Sequence, residues 1–164
     1  FVVTREAVKE EALIDRMLSE GHVVGFHSMD HQNAMVRGYL HTRKDFRTGS
    51  EFMKRKGISD IWYRPPWGLT NLFSWHLARK YGMKMVLWDV MAEDWERGAT
   101  AGSIRKKCLS RVKDGSILCL HDGGRRTGGA PGAPEKTLEA LTYVIPALKE
   151  AGCRFILPSE AVFR

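Results

Sequence analysis

The sequence lacks long apolar runs and is poor in cysteine. No apolar stretch in its 164 residues approaches the roughly 18 residues that a membrane-spanning helix needs. The three cysteines, Cys108, Cys119 and Cys153, are an odd number at wide spacings, which excludes a CxxC metal site and argues against a disulfide framework. We therefore expect no membrane span and three cysteines that pack as small buried side chains.

An initiator methionine and a secretory signal are also absent. The chain begins at Phe1, with neither the charged segment nor the apolar run of a signal peptide. We expect residues 1–164 to form a single domain whose first segment is missing from this chain. Targeting information would be missing with that segment.

The composition is that of a globular protein with a basic surface. Hydrophobic residues make up 43% of the chain and charged residues 27%, which is typical of a domain that buries one core. The formal net charge of +7 favours anionic surroundings. Basic residues are densest between Arg37 and Lys56, but no aromatic stacking platform accompanies them. We interpret this segment as a solvated helix face and expect no nucleic-acid partner.

Helical and strand-like segments alternate along the whole chain. Apolar spacing and glycine stops predict helices over residues 6–20, 42–56, 71–82, 101–113 and 135–151. Short apolar runs predict strands over residues 22–27, 60–64, 83–90, 116–122 and 153–157. The glycine- and proline-rich stretch 123–137 is predicted to be a loop. This order indicates an α/β fold with a parallel sheet, either a barrel or a doubly wound sheet.

Four successive predicted strands end in polar or ionisable side chains. His27 and His31 follow the first of these strands, Arg64 the second, Asp94 the third and His121 the fourth. The carboxyl ends of parallel strands meet at one edge of a sheet, where such folds place their ligands. We therefore expect these side chains to lie along one rim.

The two histidines are candidate metal ligands. Neutral imidazole binds Zn²⁺ well, and His27 and His31 are four residues apart, so two ring nitrogens can face one ion. A catalytic zinc usually takes three protein ligands, which leaves one ligand, a carboxylate in our interpretation, unaccounted for. Two loop histidines without a metal are the alternative.

His121 is a candidate general acid. It ends the apolar run Ile117–Leu120, so it is expected to be partly desolvated, and a carboxylate would then set its protonation state. Asp94 and Asp122 are both candidates for that carboxylate. The alternative is a core histidine that is hydrogen-bonded to the backbone.

Arg64 precedes a rigid Pro-Pro turn. This position suits an arginine that orients a buried carboxylate. The alternative is an arginine on the surface of the turn.

The segments "HSMDH", "RPPWG", "WDVMAEDW" and "ILCLHDGG", in this order, resemble motifs two to five of the polysaccharide deacetylases. These are the NodB-homology domains of carbohydrate esterase family four. The resemblance implies a distorted (β/α) barrel, with one or more N-terminal strands missing from this chain. It also implies a metal-dependent hydrolase that removes N-acetyl groups from a polysaccharide or oligosaccharide of the peptidoglycan or chitin type.

The resemblance also assigns roles to single residues. His27 and His31 would be ligands of a divalent metal, zinc or a similar ion such as cobalt. Arg64 would orient the catalytic base, and the backbone N–H of Trp67 would stabilise the oxyanion. In the later motifs Asp94 would tune His121, the general acid. The substrate-binding residues would be Trp95, which walls the acetyl pocket, together with Pro66 and Cys119.

Other properties implied by the resemblance concern the whole protein. The partner would be an N-acetylated polysaccharide or oligosaccharide, the protein would act as a monomer, and its location would be extracellular or in the cell envelope. None of these follows from composition or spacing.

One family feature is missing from the sequence. The first family motif carries an Asp-Asp pair that supplies the base and the third metal ligand, and no such pair occurs here. We expect it upstream of Phe1, and residues 1–164 alone to show little activity. Smaller departures are Gln32 and Met91, which stand at a family proline and a family aspartate. Two alternatives stay open: an inactive carbohydrate-binding relative, and a basic wall- or nucleic-acid-binding module with incidental histidines.

Overall fold

The computed structural model describes residues 1–123 and 128–160 of the chain. The chain divides into two compact units, Phe1–Leu87 and Trp88–Arg164. Each unit has its own pair of parallel strands and its own helices. The single domain over residues 1–164 stays a prediction.

The first unit is built around parallel extended segments. Its elements are α1 (Thr4–Ala7), the 3₁₀ turn Val8–Glu10, α2 (Glu11–Ser19), the 3₁₀ turn Ala34–Val36, α3 (Tyr39–Arg55), β1 (Trp62–Tyr63), the 3₁₀ turn Pro66–Gly68, α4 (Leu72–Lys80) and β2 (Lys84–Met85). Strand β1 pairs in parallel with β2. Single parallel bridges join Val2 to Phe26 and Phe26 to Tyr63, so the segment that ends at His27 lies between the N-terminus and β1.

Aromatic side chains fill the core of the first unit. The rings of Phe26, Phe46 and Tyr63 lie 4.8 to 5.6 Å apart between centroids, and all three side chains are buried. Burial of one such side chain contributes about 1.5–3 kcal/mol. Helix α3 can lie this close because Gly49 has no Cβ, which would overlap the Phe26 ring. The core therefore fixes the strand that carries His27.

The second unit pairs two short strands with two long helices. Its elements are β3 (Val90–Met91), α5 (Ala101–Arg111), β4 (Leu118–Cys119), α6 (Ala133–Glu150) and the 3₁₀ turn Pro158–Glu160. Strand β3 pairs in parallel with β4. Helix α5 begins at a capping box formed by Thr100 and Ser103, which satisfies two backbone donors at the helix start. The apolar faces of α5 and α6 share a buried cluster that includes Ile104, Cys108, Ala140 and Val144.

The structure corrects three expectations. The single predicted strand 83–90 is two short strands, β2 and β3, which pair in different units. Residues 153–157 do not form a strand, and Phe155 is 55% exposed, because no described segment forms a hydrogen-bonded ladder with them. Cys153 is exposed, so the expectation that all three cysteines are buried is wrong.

Other expectations agree with the structure or fall partly outside it. The predicted helices 42–56, 71–82, 101–113 and 135–151 correspond to α3 to α6, whereas the predicted helix 6–20 is interrupted by the 3₁₀ turn. Within the predicted loop 123–137, residues 124–127 lie outside the described residues, and α6 begins as early as Ala133. Pro134 suits that first turn, where an N–H is not needed. No helix in the described residues has both the length and the apolar character to cross a membrane.

Candidate functional site

His27 is held as a neutral imidazole with one nitrogen available. Its Nδ1 lies 2.5 Å from the backbone carbonyl oxygen of Arg64. Because a carbonyl only accepts, Nδ1 carries the proton and Nε2 keeps its lone pair. Burial lowers the pKa of His27 to about 3, so the ring stays uncharged at neutral pH. A metal ligand needs this state.

His31 lies beside His27. The two ring centroids are 5.0 Å apart, with the ring planes at 65°. On another side the His31 ring contacts the Trp67 indole at 4.5 Å between centroids. His31 has a φ of 51°, in the left-handed region that non-glycine residues rarely adopt. The turn between the histidines thus brings two imidazoles together, and this arrangement fits two ligands of one divalent ion.

A third metal ligand does not accompany the histidines within residues 1–123 and 128–160. In that part of the chain, no three His, Cys, Asp or Glu side chains are grouped so that they could hold a metal. Two carboxylates of this unit that lie at or contact the histidine turn have other partners. Asp30 forms an ion pair with Arg5, and Asp45 accepts a hydrogen bond from the backbone N–H of Met29 at 2.5 Å.

Asp45 supports the turn that carries the histidines, and sequence reasoning missed it. It lies on the face of α3 that also presents Thr42, Phe46 and Gly49, and an acidic residue on an otherwise buried face is the signal that could have revealed it. Burial raises the pKa of Asp45 to about 6. Its bond to Met29 fixes the backbone midway between His27 and His31.

The turn after β1 contains Arg64, Pro66 and Trp67. The Arg64 guanidinium lies over the Phe1 ring at 4.1 Å, and its Nη2 donates to the Leu87 carbonyl at 3.0 Å. Trp67 has a φ of 55° and is 55% exposed. Pro66 is buried and lines a cavity of about 240 Å³ in this unit. The roles predicted for these three residues stay predictions.

In the second unit, buried Asp94 and partly exposed His121 form a hydrogen-bonded pair. Oδ1 of Asp94 accepts from Nδ1 of His121 at 2.8 Å, and Oδ2 accepts from the His121 backbone N–H at 2.6 Å. Of the two carboxylates that the sequence offered, Asp94 is the partner of His121. Asp94 has no solvent exposure.

A third donor to Asp94 was not foreseen from the sequence. Oγ1 of Thr137, on α6, lies 3.0 Å from Oδ2 of Asp94. Thr137 is buried within the apolar stripe of α6 that includes Ala133, Ala140 and Val144. A lone hydroxyl in a buried stripe needs a polar partner, which is the signal that could have drawn attention to it.

The pair is an ion pair at neutral pH. Burial by itself would raise the pKa of Asp94, but the hydrogen bonds from His121 and Thr137 outweigh it, so that pKa lies below its ordinary value. The bond to Asp94 raises the pKa of His121 to about 9. His121 therefore carries a proton on each nitrogen at pH 7, and Asp94 holds the one on Nδ1.

Two further predicted residues contact the His121 ring. The indole of Trp95 meets it edge to face, with ring centroids 4.9 Å apart and planes at 76°. Sγ of Cys119 lies 4.0 Å from Nε2. Trp95 and Cys119 therefore belong to the surroundings of the imidazole, and their predicted contact with a substrate stays a prediction.

Residues with strained backbone conformations lie close to the candidate site residues. Among the described residues, the non-glycine residues with positive φ are Ser28, His31, Trp67 and Glu93. Each conformation costs of the order of 1–3 kcal/mol. Glu93 directly precedes Asp94, and its carboxylate is held by Lys107 at 2.8 Å and Arg111 at 2.9 Å. The strained residues thus lie in or beside the turns that carry the predicted site residues.

Comparison with known proteins agrees with the fold and the sequence motifs. The family model described as "Polysaccharide deacetylase" matches residues 1–86. A peptidoglycan-N-acetylglucosamine deacetylase of Bacillus cereus is 29% identical over 162 residues, which cover 98% of this chain and 72% of that protein. A second protein of that name and organism is 31% identical over 165 residues, which cover 97% of this chain and 56% of that protein.

A solved structure resembles the chain closely. The crystal structure of a peptidoglycan N-acetylglucosamine deacetylase in complex with an N-oxidanyl-benzamide compound superposes with a TM-score of 0.85 at 28% sequence identity, covering 97% of this chain and 72% of that one. The chain thus spans between about half and three quarters of these relatives.

Proposed function

The chain belongs to the polysaccharide deacetylase family, whose model matches more than half of it, and we propose that it hydrolyses N-acetyl groups on a polysaccharide or oligosaccharide with the help of a divalent metal ion. The predicted fold class, a distorted (β/α) barrel of the NodB type, is confirmed by the likeness to a solved deacetylase. The observation that carries the functional proposal is the ion pair between buried Asp94 and partly exposed His121.

His121 is proposed to be the general acid. Amide hydrolysis releases an amine, which leaves readily only when its nitrogen is protonated. Asp94 holds the Nδ1 proton of His121, so the Nε2 proton is the one that can be donated. With a pKa of about 9, the imidazolium is the main form at neutral pH. Asp94 keeps the ring oriented while this proton moves.

His27 and His31 are proposed to hold the metal ion, zinc in preference to cobalt or a similar ion. A bound ion of this kind polarises the amide carbonyl and lowers the pKa of a water molecule. The neutral, hydrogen-bonded state of His27 and the nearby His31 ring support this assignment. Two protein ligands are fewer than the usual three. We therefore expect residues 1–164 alone to bind zinc weakly and to turn over slowly.

The remaining predicted residues are proposed to position the substrate. The backbone N–H of Trp67 would donate to the oxyanion, and Arg64 would orient the carboxylate that accepts the proton of water. Trp95, Pro66 and Cys119 would contact the acetyl group or the sugar. The two Bacillus cereus relatives are named as peptidoglycan-N-acetylglucosamine deacetylases, so peptidoglycan is the first substrate to test and a chitin oligosaccharide the second. We propose that the protein acts on them as a monomer.

Acetate release tests the proposal. The zinc-supplied chain is incubated with chitopentaose and with peptidoglycan glycan strands, and mass spectrometry detects the loss of single acetyl groups even at slow turnover. His121→Ala is expected to lower the rate at least about 100-fold, the usual contribution of a general acid. His76→Ala, a change at an exposed histidine of α4, is the matched control and should leave the rate unchanged. A His121→Ala variant at full rate would contradict the assignment.

A catalytically inactive glycan-binding relative is the second candidate. It is favoured by one observation: the described ranges 1–123 and 128–160 contain no group of three metal-ligating side chains. Calorimetry with chitopentaose separates the two functions, since a binder retains affinity without releasing acetate. Reading the coding sequence on both sides of residues 1–164 for an Asp-Asp pair provides an independent test.

A further inference from the structure

We propose that Thr137 is a positioning residue that fixes the Asp94 carboxylate against His121. Its hydroxyl lies 3.0 Å from Oδ2 of Asp94, and thereby keeps Oδ1 directed at Nδ1 of His121, 2.8 Å away. The hydrogen-bonding role stands on this geometry. Its consequence for catalysis rests on the proposed function of His121 as the general acid.

The donors to Asp94 among residues 88–123 and 128–160 come from two parts of the unit. Two of them, the Nδ1–H and the backbone N–H, belong to His121 itself. The third comes from α6, a separate helix, through Thr137. Donors on one residue move together with that residue, whereas a donor on another element restrains rotation of the carboxylate about its Cβ–Cγ bond. Thr137 therefore supplies an orientation restraint that His121 cannot.

The Thr137 hydroxyl has two acceptors within reach but one hydrogen. Besides Asp94, the Ala133 carbonyl oxygen lies 3.1 Å from Oγ1. Threonine in a helix commonly bonds to the carbonyl four residues earlier. A hydrogen bond to an ionised carboxylate is stronger than one to a neutral carbonyl. Because Asp94 is ionised and wholly buried, the hydroxyl donates to Asp94.

The titratable groups near the pair include two cysteines and Glu93, which precedes Asp94 and is neutralised by Lys107 and Arg111. Cys119 lies beside Nε2 of His121, and Cys108 on α5 interacts with the Asp94 charge. Burial and the Asp94 charge raise the pKa of the Cys108 thiol, so Cys108 stays uncharged at neutral pH. Asp94 contributes most to the raised pKa of His121, and the contact with Cys119 also raises it. A change at Thr137 leaves Cys119 in place, so the difference in the His121 pKa between variant and unchanged chain reports on Asp94.

Nuclear magnetic resonance of the histidine side chains tests the proposal on the full 164-residue chain. Thr137→Val removes the hydroxyl and keeps the shape, and it is expected to lower the pKa of His121 by about one pH unit, as the carboxylate loses its fixed orientation. Thr137→Ser keeps the hydroxyl and should leave the pKa of His121 close to that of the unchanged chain. Thr142→Val, at an exposed threonine of the same helix that bonds only to a backbone carbonyl, is the matched control and should behave like the unchanged chain.

Two results would overturn the proposal. One is a pKa of His121 that is unchanged or higher in Thr137→Val, and the other is an equal decrease in Thr137→Ser. Near-ultraviolet circular dichroism checks that each variant is folded, and Thr137→Ala repeats the measurement if Thr137→Val is not. The test is independent of turnover. If the pKa of His121 decreases in Thr137→Val but acetate release does not depend on His121, the proposed function fails and the positioning role stands. If the pKa does not decrease but acetate release depends on His121, only the positioning role fails.

Discussion

Nδ1 of His121 lies 2.8 Å from Oδ1 of Asp94, a carboxylate without solvent exposure. A buried carboxylate with a charged partner is stable only while that partner remains protonated. Because the His121 side chain is 36% exposed, the pair has one buried and one accessible member. The accessible member is the one that exchanges protons, and this is the arrangement that a general acid requires.

Asp94→Asn should lower the pKa of His121 from about 9 towards its ordinary 6.5, because the neutral amide no longer stabilises the imidazolium. A histidine titration by nuclear magnetic resonance measures this directly. Since the folded-state pKa of His121 is raised, the stabilisation by the pair is complete below about pH 6.5 and is lost as the pH rises through about 9.

Urea unfolding across the same pH window tests the predicted loss of stability with rising pH. The free energy of unfolding of the unchanged chain should decrease between pH 6.5 and about 9, and that of Asp94→Asn should decrease less. His121→Gln provides a second variant without the ionisable ring. Equal slopes in all three proteins would show that the pair does not set the pH dependence.

His27→Ala should weaken zinc binding by the chain at least about tenfold, because even indirect support of a metal ligand contributes that much. Competition with a chromophoric zinc indicator measures the dissociation constant. His76→Ala, at an exposed histidine on α4, should not change it. If both variants bind zinc equally well, the metal is not held by the His27–His31 pair.

Asp45→Ala should destabilise the chain by about 1–3 kcal/mol, because the Met29 N–H loses its acceptor in a partly buried place. Asp45→Asn keeps an acceptor oxygen without a charge and should cost less than about 1 kcal/mol at pH 7. The two variants are compared by urea unfolding. A loss in Asp45→Asn as large as in Asp45→Ala would mean that the charge, and not the hydrogen bond, supports the turn.

The raised pKa of Asp45 makes the free energy of unfolding depend on pH. Between pH 3.8 and about 6 the folded chain binds this proton more tightly than the unfolded chain, so Asp45 makes stability decrease as the pH rises through that window. The decrease should be smaller in Asp45→Asn. Other carboxyl groups titrate in this window too. The difference in the pH dependence of stability between the unchanged chain and Asp45→Asn isolates the contribution of Asp45.

Gly49→Ala should destabilise the first unit by about 1–3 kcal/mol, because the new methyl group would overlap the Phe26 ring and force the packed core to shift. Gly102→Ala in α5 is the matched control. Its nearest neighbour would be 3.8 Å away, and alanine in a helix is favoured over glycine by up to about 1 kcal/mol. Thermal unfolding of both variants should therefore give opposite shifts; two decreases of similar size would contradict the packing argument.

The helices and the positions of the candidate site residues were predictable from local patterns. Apolar spacing and glycine stops lie within a few residues of each other in the sequence, and α3 to α6 follow them. Likewise, His27, Arg64 and His121 could be located because each follows a short apolar run. The choice of Asp94 over Asp122 as the partner of His121 needed the structure, because it depends on how the chain turns after β3.

What the sequence could not reveal depends on contacts between distant segments. Thr137 is 43 residues from Asp94, and Asp45 is 16 residues from Met29; neither pairing has a local signature. The segment 153–157 has the composition of a strand but no described partner. Composition indicates that a segment can form a strand, but the strand forms only where another segment pairs with its backbone.

The positive φ angles of Ser28, His31, Trp67 and Glu93 have a consequence for protein engineering. Glycine adopts this region without the clash that a Cβ causes, so glycine substitutions relieve backbone strain at these positions. A laboratory selection for heat resistance alone would therefore favour glycine there. At His31 that change would remove one of the two proposed metal ligands, whereas at Trp67 it would remove the indole but keep the backbone N–H that is proposed to bind the oxyanion.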